Sequence, residues 1–210
     1  NRFGANAVFR NCSFISNSAG IEFGLITNES SHPKFINCVF SGNQAVAGNA
    51  GVVYNASSHP EFINCLFSGN RAGANGGVFF NHESSNPKLI NCTFSGNKAV
   101  GQGGAIYNQV NSHPILINCI IWNNEANSST TSTSASIYNI VNVTATISYS
   151  LIANSGGSSN WNSNIGNNGG NNIATDPLFI QPFNPSSAPT TSGNYRFTAS
   201  SPARNAGNLI

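Results

Sequence analysis

Five cysteines set the frame for this chain. Cys12, Cys38, Cys65, Cys92 and Cys119 stand 26, 27, 27 and 27 residues apart. Their neighbours keep step. An Asn precedes each Cys (Asn11, Asn37, Asn64, Asn91, Asn118), and Phe14, Phe40, Phe67, Phe94 or Ile121 follows two residues later. Asn17, Asn43, Asn70, Asn97 and Asn124 come next, then Ala19, Ala45, Ala72, Ala99 and Ala126. A second motif closes each unit and ends at Asn28, Asn55, Asn81, Asn108 and Asn139. Turns built on His32-Pro33, His59-Pro60, Asn86-Pro87 and His113-Pro114 open the next unit. Self-similarity at a fixed period of this size is the mark of units stacked in one direction.

The units do not carry the apolar spacing of helical repeats. They hold two strand-sized apolar runs, such as Lys88–Phe94 and Gly104–Tyr107, separated by turns rich in Gly and Asn. β-Branched and aromatic residues favour strands, and Asn and Gly favour turns. A coil of 27 residues with two or three short strands is parallel β-helix geometry, with ~4.8 Å between coils and about six coils spanning roughly 30 Å. Stacking accounts for 36 asparagines in 210 residues. Asn tolerates the left-handed backbone of sharp turns, and copies in one column can bond to each other as a ladder. The Phe14 column and the column Ile26, Val53, Phe79, Ile106 and Ile137 are expected to face inward, and Gly24, Gly51, Gly76-Gly77 and Gly103-Gly104 to serve a tight bend. A degenerate sixth unit aligns Thr146–Asn154 with Leu116–Asn124. That puts Ser148 in the Asn column and Tyr149 in the Cys column, with the surplus residues in a loop at 128–136.

The Phe-x-x-Asn and Gly-Gly-Ala-Ile elements resemble the repeats of chlamydial polymorphic outer-membrane proteins and related bacterial β-helix surface proteins. Asp176-Pro-Leu-Phe179 and the stretch Tyr195–Gly207 are similar to the closing segment of many secreted bacterial right-handed β-helix proteins. The double glycine is complete in only two units, and Asn205 stands where an Asp is usual. The resemblance covers nearly the whole chain and implies a place outside the cell or on its surface, at a bacterial outer membrane. With the right-handed rule for parallel crossovers, it also sets the hand of the helix.

Few groups are suited to catalysis. Charged residues make up 7% of the chain and the net charge is +2, which gives nucleic acid no basic footprint. No run of 18 apolar residues is present to span a membrane. The six acidic residues are Glu22, Glu29, Glu61, Glu83, Glu125 and Asp176. Glycoside hydrolysis needs two carboxylates facing one bond, and calcium-assisted lyases need clustered acids. Glu29 and Glu83 belong to non-adjacent coils, and Glu61 stacks between Lys34 and Lys88 as an ion-pair partner. The cysteines read as buried reduced thiols, since five is odd and no Cys-x-x-Cys spacing suggests zinc. A metal held by His32 and His59 with His82 lacks a completing carboxylate or thiolate. No catalytic residue, metal or cofactor is therefore assigned.

The aromatic residues are the best binding candidates. Tyr54, Phe80, Tyr107 and Tyr138 alternate with the inward aliphatic column, so they should point outward, and Trp122 is a second exposed candidate. An exposed aromatic strip could stack on sugar rings or on a partner protein.

The expected architecture is all-β: a right-handed single-stranded parallel β-helix. Its coils are 5–31, 32–58, 59–85, 86–112, 113–142 and 143–175, and residues 176–210 close the C-terminal end of the same domain. The chain starts in mid-pattern at Asn1, which reads as a piece of something longer with coils upstream. The expected function is a non-catalytic structural or adhesive segment of a large secreted or surface protein, meeting glycans or the surface molecules of host or neighbouring cells. A carbohydrate-binding or carbohydrate-active β-helix is the first alternative. An extracellular fibre subunit associating end to end through open strand edges is the second.

Overall fold

Each repeat forms four short strands, and like strands of successive repeats pair in parallel to give four ladders along the molecule. The computed structural model describes residues 1–21 and 23–208; Glu22 lies outside them. In the third coil the strands are Glu61–Ile63, Leu66–Ser68, Arg71–Ala72 and Phe79–His82, assigned here to ladders I, II, III and IV. Ladder I has seven strands, ladder II six, and ladders III and IV five each. Five coils are thus complete, and a sixth reaches only the first two ladders, through Thr146–Ser148 and Leu151–Ile152. The fold is a right-handed parallel β-helix with almost no helix, Thr133–Ser136 being the one α-helical turn among the described residues.

The corners explain the Asn columns. Asn11, Asn37, Asn64, Asn91 and Asn118 all hold φ between 54° and 55°, turning the chain from ladder I to ladder II. Asn takes this left-handed conformation at low cost. Two other Asn columns, buried except at exposed Asn17 and half-buried Asn139, are bonded end to end. Asn17, Asn43, Asn70, Asn97 and Asn124 link Nδ2 to the next Oδ1 at 2.9–3.0 Å. Asn28, Asn55, Asn81, Asn108 and Asn139 do the same at 2.7–2.9 Å. Both columns donate toward the C-terminal end. Ser58, Ser85 and Ser112 form a further ladder, each Oγ accepting the backbone N–H of the equivalent Ser one coil earlier at 3.1 Å.

Alternation along the strands fills the interior. Phe14, Phe40, Phe67 and Phe94 stack at 4.7–4.8 Å with nearly parallel rings. A second aromatic stack, Phe9, Phe35 and Phe62 at 4.6–4.7 Å, runs beside it and continues as Leu89, Leu116 and Ile147. The two stacks meet edge to face, as between Phe35 and Phe40 at 5.8 Å and 68°. Val53, Phe79, Ile106 and Ile137 close the third side, fully buried. Each large side chain so buried contributes about 2–3 kcal/mol.

Two expectations need correcting, and the reading of the glycine column holds with an addition. The sixth unit sits one residue away from the alignment proposed: Ile115, Leu116 and Ile117 pair with Thr146, Ile147 and Ser148. Tyr149, at φ 51°, therefore takes the turn position of Asn118, and Ser150 takes that of Cys119. A one-residue slip would have turned Ile147 out of the core. The glycine column serves close approach as well as bending. Gly76 and Gly103 have left-handed φ, but a Cβ on Gly77 would lie 2.0 Å from the Gly104 carbonyl oxygen, so the coils touch backbone to backbone there.

The second correction concerns the C-terminal end. Trp161 and Ile165 pack against the last apolar layer. Residues 176–208 instead fold back as a strap along the flank. Phe179–Gln181 and Asn194–Phe197 make an antiparallel pair, and the Thr190 N–H donates to the Gly69 carbonyl at 2.9 Å. Asn123 donates to the Phe183 carbonyl at 2.6 Å, and Asn118 exchanges two bonds of 2.8 Å with the Asn208 backbone. The strap covers Ser41, Ser68 and Ser95, outward residues of ladder II that are nonetheless buried.

Candidate functional site

Tyr54, Phe80, Tyr107 and Tyr138 occupy successive seats of ladder IV, on the side away from the core. Their rings stack on one another at 5.5, 5.0 and 5.2 Å, within 21° of parallel. Phe23 adds a tilted ring against Tyr54 at 4.4 Å. Ring faces are thereby spent within the column, and Phe80 is only 5% exposed. What reaches solvent is ring edges and phenol oxygens, not the flat platform expected. Burial raises the Tyr54 phenol above its ordinary pKa, helped by the charges of Glu83 and Glu29. Burial raises Tyr107 too, with Tyr138 adding to it. Trp122 is half-buried rather than open. It takes the seat of Ser95 one coil on, beside the strap.

The His-Pro corner is a capping device. His59 donates its backbone N–H to Nδ1 of His32 at 3.0 Å, and Asn86 donates its own to Nδ1 of His59 at 3.1 Å. His113 then donates to Oδ1 of Asn86 at 2.6 Å. Asn and His interchange in this column because each offers an acceptor at the same reach. The imidazoles of His32 and His59 stack at 5.0 Å and 1°. Nδ1 of each is committed to a backbone amide and is not available as a metal ligand. His82 belongs elsewhere, 3.5 Å from Glu83.

The carboxylates are dispersed. Glu29 pairs with Arg2 at 3.0 Å, Glu61 with Lys34 at 2.7 Å and Glu125 with Lys98 at 2.7 Å. Asp176 accepts the Leu178 N–H at 2.8 Å in a turn. Among the described residues no group of three or more His, Cys, Asp or Glu side chains is placed to hold a metal ion. The thiols are free, one per coil, with Cys12 half-buried and the other four buried. Each Sγ of the buried four donates to the carbonyl two residues back, at 3.3–3.4 Å. Burial pushes the Cys38 and Cys92 thiols up, away from the reactive thiolate. Ser150 repeats the pattern in the sixth coil, its Oγ donating to Ser148 at 2.8 Å.

Sequence reasoning missed the groove between the strap and the first corner. It is lined by Asn64, Leu66, Asn91 and Thr93 on the coil side and by Tyr195 and Arg196 on the strap side, with a volume of about 630 Å³. Burial pushes the Tyr195 phenol up to about 12, so it stays neutral. A smaller cavity of about 240 Å³ continues from it past Asn118 and Phe197. Gly42, Gly69 and Gly96 could have signalled the strap: they replace the Ser16 and Asn123 of the same column where the strap crosses.

Comparison with known proteins agrees with this architecture. The family model described as right handed beta helix region matches residues 1–81. The one described as Chlamydia polymorphic membrane protein (Chlamydia_PMP) repeat matches residues 91–109. No curated protein and no solved structure matches the chain.

Proposed function

The chain is a right-handed parallel β-helix repeat protein, similar to polymorphic-membrane-protein repeats; from that premise we propose that it is a non-catalytic, adhesive segment of a secreted or outer-membrane-associated surface protein. The observation that carries the reading is the placement of its functional groups. The buried asparagines, aromatics and thiols serve the stack itself, and three of the five described carboxylates are each held by a separate cation. Charge is sparse, the chain's polarity comes largely from amides and hydroxyls, and the partners that fit are glycans or surface molecules of other cells. Among the described residues no helix is long and apolar enough to cross a membrane.

Beads coated with the purified chain should adhere to cells or to arrayed glycans, and heat-unfolded chain should not. Retention on neither surface would reduce the segment to a spacer. Incubation with acidic and neutral polysaccharides should release no new reducing ends and no unsaturated products. Turnover abolished by Glu61→Gln or Glu83→Gln would make the chain an enzyme instead.

A further inference from the structure

The exposed Asn column at the first corner is interrupted at one step. Asn37 donates Nδ2 to Asn11 at 3.2 Å, Asn64 to Asn37 at 3.2 Å, and Asn118 to Asn91 at 3.0 Å. No bond joins Asn91 to Asn64. An amide donor on Asn91 and an amide acceptor on Asn64 are therefore both unspent, one coil apart and exposed to solvent. The gap lies where the strap's turn at Gly193–Arg196 faces the coils across the groove. Thr93 adds a hydroxyl to the floor and Leu66 an apolar patch, while Arg196 stands exposed on the opposite wall. Among the described residues no carboxylate lines the groove or pairs with Arg196.

We infer that this groove binds an acidic saccharide, a reading that rests on the surface role proposed above and gives it a site. A sugar's neighbouring hydroxyls each offer a donor and an acceptor, which the unspent Asn91 and Asn64 amides complement directly. The guanidinium of Arg196 takes the carboxylate, as a charge-assisted and bidentate contact. Tyr195, a neutral phenol, presents an aromatic wall to the C–H face of the ring. The groove falls within the roughly 300–1,000 Å³ of small-molecule sites.

Titration of the full chain with a galacturonate hexamer tests this, with cellohexaose as the neutral probe, followed by calorimetry and by NMR of the side-chain amides. The hexauronate should shift the Asn64 and Asn91 amide signals and the Arg196 Nε–H, and should bind more tightly than cellohexaose. Arg196→Gln should weaken hexauronate binding at least about fivefold while leaving cellohexaose unchanged. Asn91→Asp, which keeps the size of the side chain and its tolerance of the left-handed turn, should abolish hexauronate binding. Val141→Ser, 85% exposed and outside the groove, should change nothing. Failure of the hexauronate to bind, affinity unaltered in both groove variants, or shifts reproduced by sodium chloride at equal ionic strength would each overturn the inference. Cell attachment that persists in groove variants unable to bind saccharide separates the two readings: the surface role then stands without this site as its contact.

Discussion

Asn70 shows what one side chain does in this architecture. Its Nδ2 donates to Asn97 at 2.9 Å and to the Phe40 carbonyl at 3.0 Å, and its Oδ1 accepts both the backbone and side-chain N–H of Asn43 at 3.0 Å. Asn70→Ala would strand these groups in a water-free interior, at a cost of about 3 kcal/mol, read as a lowered denaturation midpoint. His59 makes a different prediction. Burial lowers its pKa, with the charge of neighbouring His32 acting the same way, while Glu83 borders the same corner. Unfolded chain therefore takes up protons that folded chain refuses. The contribution of His59 is complete above the ordinary histidine value near 6.5 and is lost as pH falls below it toward the lower folded value. His59→Asn keeps the acceptor, as Asn86 does one coil on, and removes the titration. Its stability should fall less steeply than the parent's between about pH 7.5 and 5, measured by urea unfolding at each pH. At this scale the sequence was legible wherever a column repeats. It misled where two asparagines adjoin: Asn154 could be matched to Asn123 or to Asn124, and the inward demand of Ile147, not Asn identity, decides for Asn123.

Among the elements, the strap is the one that periodicity could not reveal. Strands of the coils announce themselves through inward residues repeated at 27-residue intervals, but residues 176–208 occur once and bury their apolar groups partly on each other, as Phe179 does with Tyr195 and Phe197 at 5.5 and 5.7 Å. The flank that receives them leaves a fainter trace in Gly42, Gly69 and Gly96. Gly69 has φ 59°, and a Cβ there would fall 2.1 Å from the Thr190 carbonyl oxygen. Gly69→Ala should loosen the strap and cost about 1–2 kcal/mol from the left-handed backbone alone. Limited proteolysis should then cut near residue 190 faster than in the parent, with the coils left intact. Equal cleavage rates would mean that the strap is held by its other contacts. The groove proposed as a saccharide site exists only because the strap lies on this side, so it too was hidden from the sequence.

On the scale of the whole molecule, each coil touches only its neighbours, as in other solenoids. Cohesion should therefore be greatest where a coil is packed on both sides. Hydrogen exchange should be slowest for the amides of coils two to five, from about Phe35 to Ile121, whose large inward side chains are buried. It should be faster in the first coil, where the inward Phe9 and Phe14 are only partly buried. Uniform protection from end to end would indicate a single all-or-none unit.

The corner after ladder III carries one more consequence. Asn81 and Asn108 are 27 residues apart, whereas Asn108 and Asn139 are 31 apart, yet the amide bond between the second pair is kept at 2.9 Å. Four additional residues (31 minus 27) have been accommodated around the turn Thr133–Ser136, and the columns on either side have not shifted. A scaffold that tolerates added length at one corner while holding register everywhere else can display cargo there. Peptides grafted between Asn127 and Thr133 should be carried outward at a defined height along the rod.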